Sequence, residues 1–375
     1  MKKFISMILA GAMSLLLISG CSTSSGTPPA SVTPAAPTEP NASTNTNDYE
    51  WPVTTWRVAH ACGDESPSDI GCDAFADYIM EKTNGSITVE VYPAGALGTD
   101  IQQVESCQLG DLEFTSGSSF ALNQISGIDG TLMWDLPWHF APWRIEAGDD
   151  IKLTQDDPAY QEIFVNGLHT KGIKYLAQSN IGSYVLAGLE PFNSAVSLEG
   201  KKIRAAENAM LVEALTEWGA QPVVINMFEL FTALQQGTCD GAYVPDSLIY
   251  QLGTYEATPY ITYIEGAITP CYLSCSVKFF EAQAPELQQL IVEASQRYCD
   301  ESFAAEKEQV SMWIDAFEAA GCTIVRLTQE EKEAFRANTD STHAHWRELI
   351  GEDLYDMSVA YTASVLKGKN IEIPK

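Results

Sequence analysis

Apolar residues recur at intervals of three and four over residues 285–320, at Leu287, Leu290, Ile291, Ala294 and Tyr298 and again at Val310, Trp313, Ile314 and Phe317. That spacing predicts one amphipathic helix of some ten turns. At about 1.5 Å per residue it would run roughly 50 Å, longer than either lobe of a two-lobed protein of this size is wide. It is therefore expected to span both lobes. Upstream, strands and helices alternate. Trp56-Arg57-Val58-Ala59-His60 reads as a first strand, and residues 66–84 as an amphipathic helix stopped at Gly85. Residues 86–92 alternate as a strand. A Gly-rich loop, residues 93–100, follows, in which Thr99 is placed to cap a helix running through Cys107. Residues 112–115 form a third strand.

The second stretch repeats this order. Residues 174–177, 184–187, 202–204, 222–224 and 241–244 read as extended, with Pro245 closing the last, and helices are expected over 210–218 and 228–235. The β-α-β-α-β order predicts an α/β protein with largely parallel sheets, whose ligands lie beyond the carboxyl ends of the strands.

At 375 residues the chain has length enough for about two domains or lobes. Its hydrophobic content of 45% and charged content of 19% exclude global disorder. The formal net charge of −29 makes nucleic-acid binding and polybasic membrane attachment poor hypotheses. Lys2 and Lys3 precede an apolar run, residues 4–18, too short for a comfortable membrane span. Ile18-Ser19-Gly20-Cys21 resembles a bacterial lipobox, which predicts a signal peptide over 1–20 and a mature chain beginning at acylated Cys21. Residues 21–50, rich in Ser, Thr, Pro, Ala and Asn, are expected to be a disordered tether. The folded body would then work outside the cytoplasm, at the cell surface or in a periplasm, held to the membrane by lipid alone.

With Cys21 assigned to lipid, eight cysteines remain, and an even number in an exported chain permits disulfides. Cys62 and Cys72 would close a short loop, but the pairing is not readable from spacing. No metal site is expected: Cys271 and Cys275 flank a strand-like segment without a second pair. His343 and His345 stand roughly 200° apart on a helix and are expected at its surface.

From Trp56 to the end of the long helix, the chain resembles the solute-binding proteins of tripartite ATP-independent periplasmic (TRAP) transporters. The resemblance lies in the strand at 56–60, the segment 81–93 and Leu97-Gly98. It continues in Asp135-Leu136-Pro137-Trp138, Gly200-Lys201-Lys202-Ile203-Arg204 and the run 228–237 followed by Asp240-Gly241. It implies a two-lobed periplasmic-binding-protein-like fold of type II, with lobe I at 51–179 plus about 270–308 and lobe II at 180–269 plus about 309–375. It also implies a ligand enclosed when the lobes close, and Arg204 as the partner of the ligand carboxylate. A guanidinium suits that task because it forks two parallel N–H bonds onto a carboxylate and stays charged when buried.

The departures from the family pattern shape the expected ligand. Tyr184 stands where many relatives carry a second arginine, and Ala242-Tyr243-Val244-Pro245 replaces a common Gln-Glu-Asn-Pro. Both remove anion contacts, so one carboxylate is expected, or a zwitterion if Glu207 faces the ligand. Trp138, Tyr184, Phe228, Tyr243 and Tyr272 are candidate aromatic walls, Ser118 and Ser119 candidate hydroxyl contacts at a strand end, and His60 a candidate at the end of the first strand. Phosphate-loop, nucleophile-elbow and zinc-protease motifs are absent, so neither enzyme activity nor a cofactor is expected. The expected protein is a monomeric receptor that delivers a small carboxylate to the small and large membrane subunits of a TRAP transporter. The alternative is a binding lipoprotein of an ATP-driven importer.

Overall fold

A computed structural model describes residues 49–139 and 157–368, with side chains to residue 360. The leader, the lipobox cysteine and the tether through residue 48 lie outside the described residues.

The first half of the fold is a parallel trio. Strand β1 (Thr54–His60) pairs in parallel with β2 (Ile87–Tyr92) and β3 (Phe114–Ser118). Helix α1 (Pro67–Lys82) starts at the Ser66 cap, whose hydroxyl accepts from Asp69 N. Helix α2 (Asp100–Leu109) starts in a capping box, where Thr99 and Gln102 satisfy each other's backbone N–H groups, as the sequence predicts for Thr99. Ser118 caps α3 (Ser119–Ser126).

Strand β4 (Ile173–Gly188) joins the halves, running as one 16-residue strand where the sequence suggested two pieces. Its first part pairs antiparallel with the crossing strand β9 (Ile268–Ser276), which also pairs with β3. Its last part, from Tyr184, pairs with β7 (Gly241–Pro245) and, from Leu186, with β8 (Tyr260–Tyr263). The change of partner falls at a register shift between Asn180 and Ser183, where Gly182 has φ of 141°. In the second half β5 (Lys202–Ala205) lies in parallel between β6 (Gln221–Val224) and β7, and β10 (Thr323–Arg326) pairs with β8. Helices α4 (Ala209–Glu217), α5 (Leu230–Gln235) and α6 (Asp246–Gln251) connect these strands.

The long helix, α7 (Pro285–Ala319), does span both halves. Its first turns bury Leu287, Leu290, Ile291, Ala294 and Tyr298 against β1, β2 and α1, and its last turns bury Trp313 and Phe317 among β4, β7 and α6. It is amphipathic, and no described helix is long and apolar enough to cross a membrane.

Beyond the long helix come α8 (Gln329–Ala337), α9 (Asp340–Ile350) and α10 (Glu352–Gly368), of which α8 packs Phe335 into the second half beside Trp218. Trp346, Ile350 and Leu354 pack with Leu132, Met133 and Trp134 of the first half, while Trp346 Nε1 donates to Glu213 Oε2 on α4 at 2.9 Å. This segment touches both halves: Phe335 packs with Trp218 of the second, while Trp346, Ile350 and Leu354 pack on the first. His343 is accordingly not a surface residue. Its Nε2 donates to Pro137 O at 2.7 Å, its Nδ1 accepts from the Tyr355 hydroxyl at 2.8 Å, and burial lowers its pKa. His345 is exposed, as expected, beside Glu213.

Candidate functional site

A cavity of about 140 Å³ lies where the parallel strands of both halves end. From the first half come Ala61 and Cys62 past β1, Thr99 and Asp100 at the start of α2, Ser116 and Ser118 of β3, and Phe120 of α3. From the second come Arg204, Ala206 and Glu207 at the end of β5, the segment 225–228 past β6, Pro245 at the end of β7 and Leu248 beyond it. Ile181, Tyr184, Thr269 and Cys271 of the two crossing strands form the floor. Strands β1, β3, β5, β6 and β7 deliver their carboxyl ends to one place, and such a meeting point is where α/β folds bind ligands.

Arg204 is the charged centre of this cavity. Its residue is only 4% exposed, and Nε donates to Ile225 O at 2.8 Å, which fixes the guanidinium plane. Among the described residues no carboxylate lies within ion-pairing distance of it. Burial pulls its pKa down to about 10 against the opposing influence of Tyr184, Cys239 and Glu207, so it stays charged at neutral pH. A buried, unneutralised cation is costly unless something else supplies the anion.

Asp100 is the charged residue of the cavity that sequence reasoning missed. Its carboxylate accepts from Ser118 N at 3.3 Å and from the Ser118 hydroxyl, and burial raises its pKa to about 6 despite those bonds. The signal was available, since an acid directly after a Thr cap at the end of a Gly-rich loop stands at a helix start beside the strand ends. Glu207 also lines the cavity and is exposed at its rim, and its backbone carbonyl accepts from Gln124 Nε2 of α3 across the cleft at 3.0 Å. Phe228, 49% exposed, closes over the Gly95 turn of the opposite half. That turn favours glycine: φ is 71°, and a Cβ would sit 3.1 Å from Gly98 O.

Of the ten residues expected at the ligand, the structure brings Arg204, Glu207, Tyr184, Ser118 and Phe228 together on the cavity wall. The other five lie elsewhere. Tyr272 packs among Phe164 and Tyr175 with its hydroxyl donated to Thr131 O, because alternation along β9 sends Thr269 and Cys271 to the cavity and Tyr272 to the opposite face. Tyr243 is buried between Tyr184 and Trp218, and Trp138 is stacked on Phe335 within the core of the second half. Ser119 begins α3 and is buried, its carbonyl accepting from Thr131 Oγ1. His60 lies behind the wall, its Nε2 3.0 Å from Asp69 Oδ1. No disulfide joins any of the eight cysteines, so the short Cys62–Cys72 loop is not closed; Cys72 is packed into the core under α1. No group of acids, cysteines and histidines fit to hold a metal ion occurs among the described residues.

Comparison with known proteins places this arrangement. A family described as bacterial extracellular solute-binding protein, family 7, matches residues 58–349. The ectoine-binding periplasmic protein TeaA of Halomonas elongata is 27% identical over 301 residues, covering 79% of this chain and 86% of that protein. The C4-dicarboxylate-binding protein DctB of Bacillus subtilis is 24% identical, covering 80% of this chain and 84% of its own length. The solved structure of the ectoine-binding protein of the Halomonas elongata TeaABC TRAP transporter superposes with a TM-score of 0.76 at 26% identity, over 83% of this chain and 99% of that one. A TRAP periplasmic solute-binding protein from Shewanella oneidensis with bound succinate gives 0.76 at 21% identity, over 83% of this chain and all of that one.

Proposed function

Because the chain belongs to the family-7 bacterial extracellular solute-binding proteins, as a two-lobed TRAP-type solute receptor rather than an enzyme, we propose that it captures one small zwitterionic carboxylate between its lobes. It would act as a lipid-tethered monomer that passes this ligand to the small and large membrane subunits of a TRAP transporter. The observation that carries the reading is Arg204, a buried cation in the cavity with no carboxylate of its own among the described residues. A ligand carboxylate supplies the missing anion.

The choice of a zwitterion rests on the other two charges. Asp100 and Glu207 share the cavity with a single arginine, so a dicarboxylate would bring two negative charges to a site that already holds two. An ammonium or amidinium group at the far end of the ligand removes that conflict, and ectoine, the zwitterion named for the relative TeaA, has this charge pattern. Thermal-shift screening of amino acids, betaines, cyclic amidines, monocarboxylates and dicarboxylates reads the class directly, since a ligand that binds only the native state raises stability by RT ln(1 + [L]/Kd). Glu207→Gln should weaken the cation-bearing ligand selectively and leave a matched plain carboxylate within about two-fold. The pH dependence has a definite sign. Asp100 gains its proton as pH falls through about 6, so affinity for the cation-bearing ligand falls there while that for the plain carboxylate does not. Tight binding of a dicarboxylate by the wild type would overturn the zwitterion reading.

Lipid attachment rests on Leu17-Ile18-Ser19-Gly20-Cys21 and the polar tether after it. A fatty-acid probe fed to expressing cells should label the wild-type chain and spare Cys21→Ser. Equal labelling of both refutes the anchor.

A further inference from the structure

Two cysteines stand on the cavity wall, and nothing in solute capture uses them. Cys62 lies just beyond β1 and Cys271 on β9; both are buried, both line the cavity, and with Ile181 they form one small packed cluster. Register explains the meeting. Ser118 of β3 pairs with Cys271, and β3 also flanks β1, whose continuation carries Cys62. Behind Cys62 stands His60, fully buried, with Nε2 held by Asp69 Oδ1 at 3.0 Å and Nδ1 without a hydrogen-bond partner of ordinary geometry. Cys62 follows His60 by two residues and lines the cavity, which His60 does not reach.

We propose that Cys62 and Cys271 form a thiol–disulfide exchange site inside the cavity, with Cys62 the attacking thiol, His60 the ring that favours its ionisation and Cys271 the resolving thiol. The co-reactant is a low-molecular-weight disulfide such as oxidised glutathione. The Cys62 thiolate attacks one sulfur of the disulfide, forming a mixed disulfide and releasing one glutathione thiolate. Cys271 then loses its proton to solvent, attacks the Cys62 sulfur and releases a second glutathione thiolate, which takes up a proton. Two protein thiols are oxidised to one disulfide as one glutathione disulfide is reduced to two thiols.

The electrostatics assign the roles in the same way. The Cys271 contact and then the His60 ring hold the Cys62 pKa below the ordinary thiol range although burial opposes them, while the same contact and burial push Cys271 up. Burial draws the His60 imidazole down, but Asp69 and Cys62 outweigh it and leave it at about 9. The titratable groups facing Cys62 are His60 on β1, Asp69 and Cys72 on α1, Asp100 on α2 and Cys271 on β9. The buried cysteines outside the cavity, Cys72, Cys107, Cys239, Cys275, Cys299 and Cys322, serve as internal controls.

The reduced full-length protein is incubated with oxidised glutathione, quenched in acid, alkylated and mapped as peptides without reduction. We expect a Cys62–Cys271 linked peptide with the six control cysteines unmodified. C271S should stop at a glutathione adduct on Cys62, and C62S should modify Cys271 at least ten-fold more slowly than wild type forms its disulfide. Initial attack on Cys271, or oxidation of a control cysteine first, overturns the proposal. His60→Gln keeps both thiols and provides a readout that does not depend on serine variants folding. An ordinary thiol loses about 80-fold of its thiolate between pH 8 and pH 6. The wild-type rate should fall by only a few-fold over that range, and the His60→Gln rate should follow the steep curve. A steep wild-type profile refutes the thiolate.

Discussion

Replacing Arg204 by methionine should abolish ligand binding and leave the empty protein as stable as wild type or more so. The two effects have different origins. In the complex, losing one member of a buried charge pair costs roughly 2 to 5 kcal/mol, about 30-fold to several thousand-fold in affinity, much of it from the ligand carboxylate left unpaired. In the empty protein the guanidinium makes, among the described residues, one backbone hydrogen bond, to Ile225 O, and is a desolvated charge whose pKa is already drawn down to about 10. Methionine keeps most of the apolar stem and removes the charge, and substituting apolar groups for buried ions is often neutral or stabilising. Calorimetry with the ligand found by screening and thermal melting of the apo protein read the two halves separately. Wild-type affinity in the variant refutes the anchoring role. Lost binding with an apo melting temperature lowered by many degrees would make Arg204 a structural residue. Arg204→Lys should recover only part of the affinity, since an ammonium cannot fork onto a carboxylate as a guanidinium does.

Arg204 was legible in the sequence only through a resemblance, whereas the scaffold that places it was legible from pattern alone. The alternation of β2, the Thr99 cap and the spacing of the long helix are local signals, each decided by neighbours within one or two turns, and the structure reproduces them within a few residues. The strand β4 was harder because Ser179, Asn180, Gly182 and Ser183 interrupt its apolar run, although these polar residues are buried or half-buried at the crossover. Asn180 satisfies the backbone there, its Oδ1 accepting from Gly182 N and Thr269 N. Composition suggested a break where long-range hydrogen bonds hold a continuous strand. The cavity wall was the least legible part. It is assembled from eight separate segments, and whether a side chain faces ligand or core depends on strand parity and distance from the strand end. Aromatic size drew attention to Tyr272, Tyr243 and Trp138, which fill the core, and away from Asp100, Cys62 and Cys271, which are small and line the cavity.

Gly182→Ala should be the most damaging single-methyl addition at the join between the lobes. Gly182 has φ of 141°, a conformation L side chains rarely adopt, and it sits at the register shift where β4 leaves β9 for β7 and β8. A Cβ there would lie 2.2 Å from Asp246 Oδ1 and 3.4 Å from Asp246 Cγ. The acid has little freedom to move, because Oδ1 accepts from Ser183 N at 3.0 Å and from Ser247 N at 2.9 Å and the residue is only 1% exposed. Backbone strain and displacement of a buried hydrogen-bonded carboxyl together imply a loss of roughly 3 kcal/mol or more. Urea denaturation of the apo protein measures it, with the midpoint falling and the slope unchanged if the native fold survives. Asp246→Ala is the control that separates clash from strain. By itself it strands the Ser183 and Ser247 N–H groups, yet in the Gly182→Ala background it removes the atom that the new methyl strikes. The double variant should therefore be less destabilised than the sum of the two singles, by about 1 kcal/mol or more, leaving only the strain at residue 182. Strict additivity, or a Gly182→Ala protein within 1 kcal/mol of wild type, would show that the crossover relaxes freely and that no glycine is required there.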